Sequence, residues 1–284
     1  MDIVYRFDPN APIHSKRPKN NREALKSLAS GNKRFAKMVS HLQEIGTGEK
    51  RHEPMIIPIN PVTLGVPIVS GLEPSHEPFA LVLGCSDARV PIEHVLDCSA
   101  NDLFVVRVAG NVLGLECLGS VDYAACNLKS SLQSVIVLAH TGCGAVTAAV
   151  DTYMSPSDFA NIAFSHALRS LIDRVMLSVG GSAKVLEKSL GGKAAKHPRY
   201  REWLISTSIY MNAAVTAWDL QREVNAVVKG GLPVSYSVYD VSTTRIGALP
   251  YSAKGACPEF ASAPKSSEDF ERVALEIVSC LIGG

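Results

Sequence analysis

The chain predicts an α/β fold, a mainly parallel β-sheet flanked by helices, with an N-terminal helical arm that packs on a partner subunit. Three observations carry this. Short continuous apolar runs stand at Phe79–Gly84, Leu103–Val108 and Ser134–Ala139, and such runs suit strands buried on both faces. Each pair of runs is separated by enough chain for a helix, as parallel crossovers require. The first 78 residues lack this alternation and read as an arm lying on another surface, such as a second subunit.

In chain order, residues 1–20 are rich in Pro and Asn and read as extended. From Asn21 onward, Leu25, Leu28 and Phe35 recur at helical spacing, so an amphipathic helix is expected there, bent at Gly31. Residues 41–78 hold Pro54, Pro58, Pro61, Pro67, Pro74 and Pro78 with little periodicity, an unusual stretch inside a compact domain. Phe79–Gly84 is the first strand of the core. Pro91 suits the first turn of a short helix over Val90–Leu96. Leu103–Val108 is the second strand, closed by Ala109-Gly110-Asn111. A helix over Leu115–Lys129, the strand Ser134–Ala139 and a helix after Gly144 follow. A helix over Phe159–Leu177 leads into a Gly/Lys-rich loop at 180–198. Arg201–Val228 has a long helical pattern, and Pro233–Val241 alternates as a strand does. Ser266–Leu281 closes the chain as a helix. Without an internal repeat or a clear linker, residues 1–284 read as one domain: arm and helix (1–78), core (79–150), insertion (155–200), and a C-terminal helix, strand and tail (201–284).

Composition excludes several classes. With 28 basic and 27 acidic residues the net charge is +1, so no bulk field favours nucleic acid or an anionic membrane. A small-molecule partner is the expectation. No apolar run approaches the roughly 18 residues that span a bilayer, and the first residues lack the apolar centre of a secretory signal. Seven cysteines, an odd count without framework spacing, point to free thiols in a reducing cytoplasm. Cys117 and Cys126, in a Leu/Ala-rich stretch, read as small buried hydrophobes.

The chemistry concentrates where two apolar runs end. Leu81-Val82-Leu83-Gly84 runs into Cys85-Ser86-Asp87-Ala88-Arg89, and Val135–Ala139 runs into His140-Thr141-Gly142-Cys143-Gly144. Singly, each piece has a plain reading: a buried thiol, a hydrogen-bonded histidine, a surface turn with an ion pair, a helix start. Jointly, two ends of one sheet offer two thiolates and an imidazole, a ligand set that suits Zn2+ and leaves one tetrahedral position free. Asp87 can accept a hydrogen bond from a metal-bound water or hydroxide, and Arg89 can clamp Asp87 and favour its ionised form. The competing arrangement puts Asp87 itself in the fourth position, with Arg89 deciding between the two.

These residues closely resemble the β-class carbonic anhydrases. The resemblance is carried by Cys85–Pro91, Phe104–Asn111 and His140–Gly144, is strong over about residues 79–150, and is looser at Gly31–Phe35 and Ser237–Val241. It implies a zinc enzyme that interconverts carbon dioxide and bicarbonate by attack of zinc-bound hydroxide, in a mainly parallel sheet whose N-terminal helices reach across to a partner. A homodimer or higher even oligomer follows from it. Carried over by position, Cys85, His140 and Cys143 are zinc ligands and Asp87–Arg89 is the catalytic dyad. Phe104, Ala109 and Gly110 fall at the substrate pocket. His76 stands where many members place a substrate-binding Gln. Ala88 replaces a usual Ser, Val108 a frequent polar residue, and residues 155–200 are longer than usual. Val82 stands where members regulated by a bicarbonate pocket tend to have Trp, which implies a constitutively open site.

Two other functions fit the same ligands: hydrolysis of carbonyl sulfide or carbon disulfide, and a catalytically silent zinc-binding interaction protein. Redox use of the thiols is weaker, since no C-x-x-C occurs.

Overall fold

The sheet is built around two wholly buried strands. In the computed structural model, which describes residues 3–8, 10, 17–48, 55–60, 63, 65, 71, 73–162, 164–251 and 257–283, the order of elements is as follows. β1 (Ile3–Phe7), α1 (Asn21–Gly46) and β2 (Met55–Ile59) precede the core. β3 (Ala80–Gly84), α2 (Ile92–Val95), β4 (Leu103–Arg107), α3 (Leu115–Asn127), β5 (Ser134–His140) and α4 (Gly144–Met154) form its first part. Then come α5 (Phe159–Ile162), α6 (His166–Leu190), α7 (Tyr200–Val227), β6 (Val234–Asp240), β7 (Arg245–Gly247), β8 (Ala261–Ser262) and α8 (Ser267–Ile282).

The main sheet has the order β4-β3-β5-β6-β7, with β8 also paired to β6. β4, β3, β5 and β6 run parallel, while β7 and β8 pair antiparallel with β6. Every residue of β3 and β5 is buried, which is why both read as unbroken apolar runs rather than alternating ones. Alternate side chains still take opposite faces. Leu81, Leu83, Val135 and Val137 pack among the residues of α3, α4, α6, α7 and α8. Ala80, Val82, Ile136 and Leu138 pack against Ala24 and Leu28 of α1 and Ile92 and Val95 of α2. Helices thus cover both faces, as the α/β prediction requires.

Several boundaries differ from the sequence expectation. α1 passes through Gly31 without a break and continues to Gly46, into the proline-rich stretch. Glycine stands at position 31 because a Cβ there would collide with the Leu96 carbonyl oxygen, where α1 crosses the end of α2. The arm is not wholly extended coil: β1 and β2 form a separate two-stranded parallel ribbon, Ile3 opposite Met55. The arm's remaining residues, among them 11–16, 49–54, 61–62 and 66–70, lie outside the described residues.

The expected Gly/Lys-rich loop at 180–198 is largely helix. α6 starts at Ser165, whose side chain caps it by accepting from the Leu168 N–H, and runs on to Leu190. The Gly180-Gly181 pair costs about 1 kcal/mol per glycine in helix propensity. Packing overrides that cost, because Val175, Val179, Ala183 and Leu186 are buried at helical spacing. The same cap divides the expected Phe159–Leu177 helix into α5 and α6. The short strands β7 and β8 carry no sequence signal of their own. Cys126 is exposed and Cys117 half-buried, not the buried hydrophobes expected of them.

Alanine ordinarily stabilises a helix interior over glycine by about 1 kcal/mol. At position 31 the sign should reverse. Gly31→Ala is expected to lower stability by about 1–3 kcal/mol through overpacking, read as a lower urea midpoint; an unchanged or higher midpoint would show that the α1–α2 crossing is looser than described.

Candidate metal centre

Register brings the ligands together. Gly84 lies opposite Leu138 in the β3–β5 ladder, so Cys85 leaves β3 beside the last residues of β5. The Sγ atoms of Cys85 and Cys143 and a ring nitrogen of His140 all lie within 4.8 Å of one another, and all three residues are buried. That spread suits atoms that would each sit about 2.0–2.3 Å from one ion. Two soft sulfurs with one imidazole nitrogen match zinc better than magnesium or calcium.

His140 is prepared for this. Its Nδ1 lies 3.0 Å from the Thr141 carbonyl oxygen, so Nδ1 carries the proton and donates, leaving a lone pair on Nε2. Nε2 is buried and has no hydrogen-bond partner among the described residues. A buried ring nitrogen left unsatisfied is costly unless something occupies its lone pair, and a metal ion answers that requirement.

The two thiols share a proton. The neighbouring Cys143 thiol, with the backbone at Asp87 and Gly110, outweighs the effect of burial and brings the pKa of the Cys85 thiol down to about 4. The same contact, with burial, pushes the Cys143 thiol well above its ordinary value.

Asp87 and Arg89 form a tight pair on the turn after β3. Arg89 Nε donates to Asp87 Oδ1 at 3.0 Å and a terminal nitrogen to Oδ2 at 2.7 Å, while the Arg89 backbone N–H donates to Oδ1 at 2.9 Å. The guanidinium also donates to the Gly142 carbonyl at 3.0 Å, tying the dyad to the His140–Cys143 turn. This pairing holds the Asp87 carboxyl well below the usual carboxylate range. Its Oδ2 lies 3.8 Å from His140 Nε2, beside the cluster but too far for a hydrogen bond.

The remaining sequence candidates divide. Gly110 reaches the cluster, its N–H donating to Cys85 Sγ at 3.3 Å. Ala109 opens the same short turn after β4. His76 is exposed, its ring stacked on Phe104 with centroids 6.0 Å apart. Among the described residues no hydrogen bond joins His76 to the cluster. Phe104 is half-buried in β4, with Tyr123 on its other side at 6.4 Å.

Two supporting residues escaped the sequence reading. Arg107, at the end of β4, donates to the carbonyls of Cys85 (3.1 Å), Asp87 (2.8 Å) and Val90 (3.0 Å), and so fixes the loop that presents both thiolate and dyad. The available signal was a guanidinium closing an apolar strand. Asn212, buried in α7, donates to the Gly110 carbonyl at 2.8 Å. Its signal was an amide inside the buried run Ile209–Ala214.

Residues 80–246 match the family described as carbonic anhydrase. A carbonic anhydrase of Mycolicibacterium smegmatis is 38% identical over 125 residues, covering 43% of this chain and 55% of that protein. Carbonic anhydrase 2 of Mycobacterium tuberculosis is 35% identical over 127 residues, covering 45% and 51%. The chain thus spans about half the length of the curated relatives it matches. Among solved structures, a Coccomyxa β-carbonic anhydrase in complex with acetazolamide superposes with a TM-score of 0.46 at 22% identity, over 61% of this chain and 72% of that one. One from Sordaria macrospora, described among two tetrameric β-carbonic anhydrases, gives 0.42 at 19%, over 61% and 80%.

The unequal thiols make metal uptake pH-linked with a definite count. With one thiol of the pair pushed down and the other up, the pair is expected to hold one proton at neutral pH, so zinc binding near pH 7 is expected to release about one proton from the ligand set. Calorimetry in buffers of different ionisation enthalpy measures this; a count near two would mean that the thiols titrate independently.

Proposed function

We propose, from the fact that this chain belongs to the β-class carbonic anhydrase family, that it reversibly hydrates carbon dioxide to bicarbonate with a zinc ion held by Cys85, His140 and Cys143. The observation that carries the reading is the buried, unpartnered Nε2 of His140 beside two sulfurs and next to an arginine-clamped carboxylate. Zinc bound there would bring the pKa of a water toward neutrality and so supply a hydroxide nucleophile.

The chain's own residues do the rest. Asp87, ionised by its pairing with Arg89, is an acceptor only. It takes a hydrogen bond from the attacking water and turns that oxygen's lone pair toward the carbon of the substrate. Arg89 occupies both carboxylate oxygens, which keeps Asp87 out of the fourth ligand position and supports the constitutively open form. The buried Val82, where a bicarbonate-regulated member tends to have Trp, supports it too. Ala109 and Gly110, just after the end of β4, supply the apolar side of the carbon dioxide pocket, whereas Phe104, opposite Leu81 in the β3–β4 ladder with His76 stacked on it, lies toward the other end of the strand. A linear, nonpolar substrate needs little more than such a wall and an aimed nucleophile.

A small-molecule substrate is consistent with the balanced charge, and no helix among the described residues is long and apolar enough to cross a membrane. A homodimer or higher even oligomer is supported by the apolar side chains that the β1–β2 ribbon leaves exposed, Val4, Tyr5, Phe7 and Ile56.

Asp87→Ala should leave zinc content at wild-type level and cut carbon dioxide hydration by about 10- to 100-fold or more. Stopped-flow hydration with metal analysis on the same sample checks this, and undiminished turnover would remove Asp87 from the mechanism. Assayed alongside, wild-type protein should hydrate carbon dioxide faster than it releases hydrogen sulfide from carbonyl sulfide; the reverse order would transfer the chain to the sulfur substrates.

A further inference from the structure

The turn after β4 has two polar ends, and they serve different partners. Gly110 adopts φ 68° and ψ 12°, a left-handed conformation that glycine reaches at no steric cost. A Cβ there would also press on Ala145 Cβ at 3.0 Å. The Gly110 N–H donates to Cys85 Sγ at 3.3 Å. Its carbonyl accepts from Asn212 Nδ2 at 2.8 Å.

Asn212 is an improbable residue for its place. It sits near the middle of α7, is 2% exposed, and has buried Met211, Ala213 and Ala214 beside it. Asparagine is a poor helix former, and an amide carried into an apolar interior loses its water. The contact that offsets both costs is the one with Gly110, 102 positions earlier in the chain.

We propose that Asn212 is a positioning residue for the Cys85 sulfur. By holding the Gly110 carbonyl it fixes the backbone of the most freely rotating residue type, and so keeps the Gly110 N–H aimed at the thiolate that would ligate the metal. The N–H and the carbonyl of Gly110 belong to different peptide groups, so the influence is conformational rather than transmitted through one conjugated amide. An N–H donor on a thiolate withdraws charge from it. Asn212 therefore sets how strongly Cys85 donates to the ion. This inference rests on the metal-centre reading above and adds a part to it that lies outside the ligand motifs.

Cobalt(II) loaded in place of zinc gives the test, because the thiolate-to-cobalt charge-transfer absorption reports the electron density on the ligating sulfurs. Asn212→Leu keeps the branched outline, with bulkier methyl groups in place of the amide atoms, and removes the donor. It should move that band to lower energy as charge returns to the sulfur, and, because the Gly110 turn and the ligand beside it are no longer held, weaken cobalt and zinc binding by about 10- to 100-fold. Asn212→Ala, which inserts no new atoms, should act in the same direction and guards against a leucine variant that fails to fold. Ser208→Ala is the control: Ser208 is fully buried in the same helix and its hydroxyl has no partner among the described residues, so both readouts should stay at wild type. A wild-type band and affinity in either Asn212 variant, with only the melting temperature lowered, would overturn the proposal and make Asn212 a packing residue. Absence of any thiolate band from cobalt-treated wild-type protein is a different result: it removes the metal-centre reading, and this inference with it.

Discussion

Everything at the site depends on β3 and β5 pairing in parallel in a single register. Gly84 opposite Leu138 sets Cys85 at the height of the residues just before His140. Side chains on a strand have a period of two, so a slip of one residue would turn every side chain of β3 to the opposite face. The same slip would exchange the Leu81/Leu83 and Ala80/Val82 faces, which pack into different clusters. The apolar core therefore enforces the geometry of the polar site. A register error in the first would be paid for in both, so burial of β3 and β5 on both faces is the restraint that makes a three-ligand centre possible on two separate strand ends.

Charge shapes what surrounds the ligands. A buried thiolate is costly unless a donor faces it, and the Gly110 N–H faces the Cys85 sulfur at 3.3 Å. The loop that carries it would otherwise leave carbonyls at Cys85, Asp87 and Val90 aimed at one another's neighbourhood; the Arg107 guanidinium collects all three. Arg89 performs a related task farther out, binding the Asp87 carboxylate and the Gly142 carbonyl together. Two arginines thus fix one turn from two sides, and the carboxylate between them is restricted to accepting a hydrogen bond.

What the sequence displayed and what it concealed follow from the range of the interactions. The core strands were legible because burial on both faces forces continuous apolar runs, and the candidate ligands stood out because they follow the ends of such runs. α6 was not. Its Gly180-Gly181 pair and its lysines are local signals for a loop, whereas Val175, Val179, Ala183 and Leu186 answer to a surface far away in sequence. The β1–β2 ribbon was hidden for a similar reason: its partners are 52 positions apart (55 − 3), and neither strand has a strong period. Arg107 and Asn212 act through backbone carbonyls rather than through side-chain motifs. No spacing rule reveals an amide that reaches Gly110 from another helix. The ligands of a site are therefore easier to read than the residues that hold them still.

The 155–200 segment shows why that difference matters for function. Read as an insertion, it suggests an appended binding surface on an otherwise silent protein. Its main helix instead packs on α4 and α7, with Ile172, Val175, Val179, Ala183 and Leu186 in the same cluster as Cys85 and Cys143. Val175 reaches the turn itself: a Cβ on Gly110 would lie 3.8 Å from Val175 Cγ2. α6 therefore backs both the helix that carries Asn212 and the glycine that Asn212 holds. A segment that supports the donor to Cys85 from behind is part of the structure around the candidate site, which weighs against treating it as a separate module.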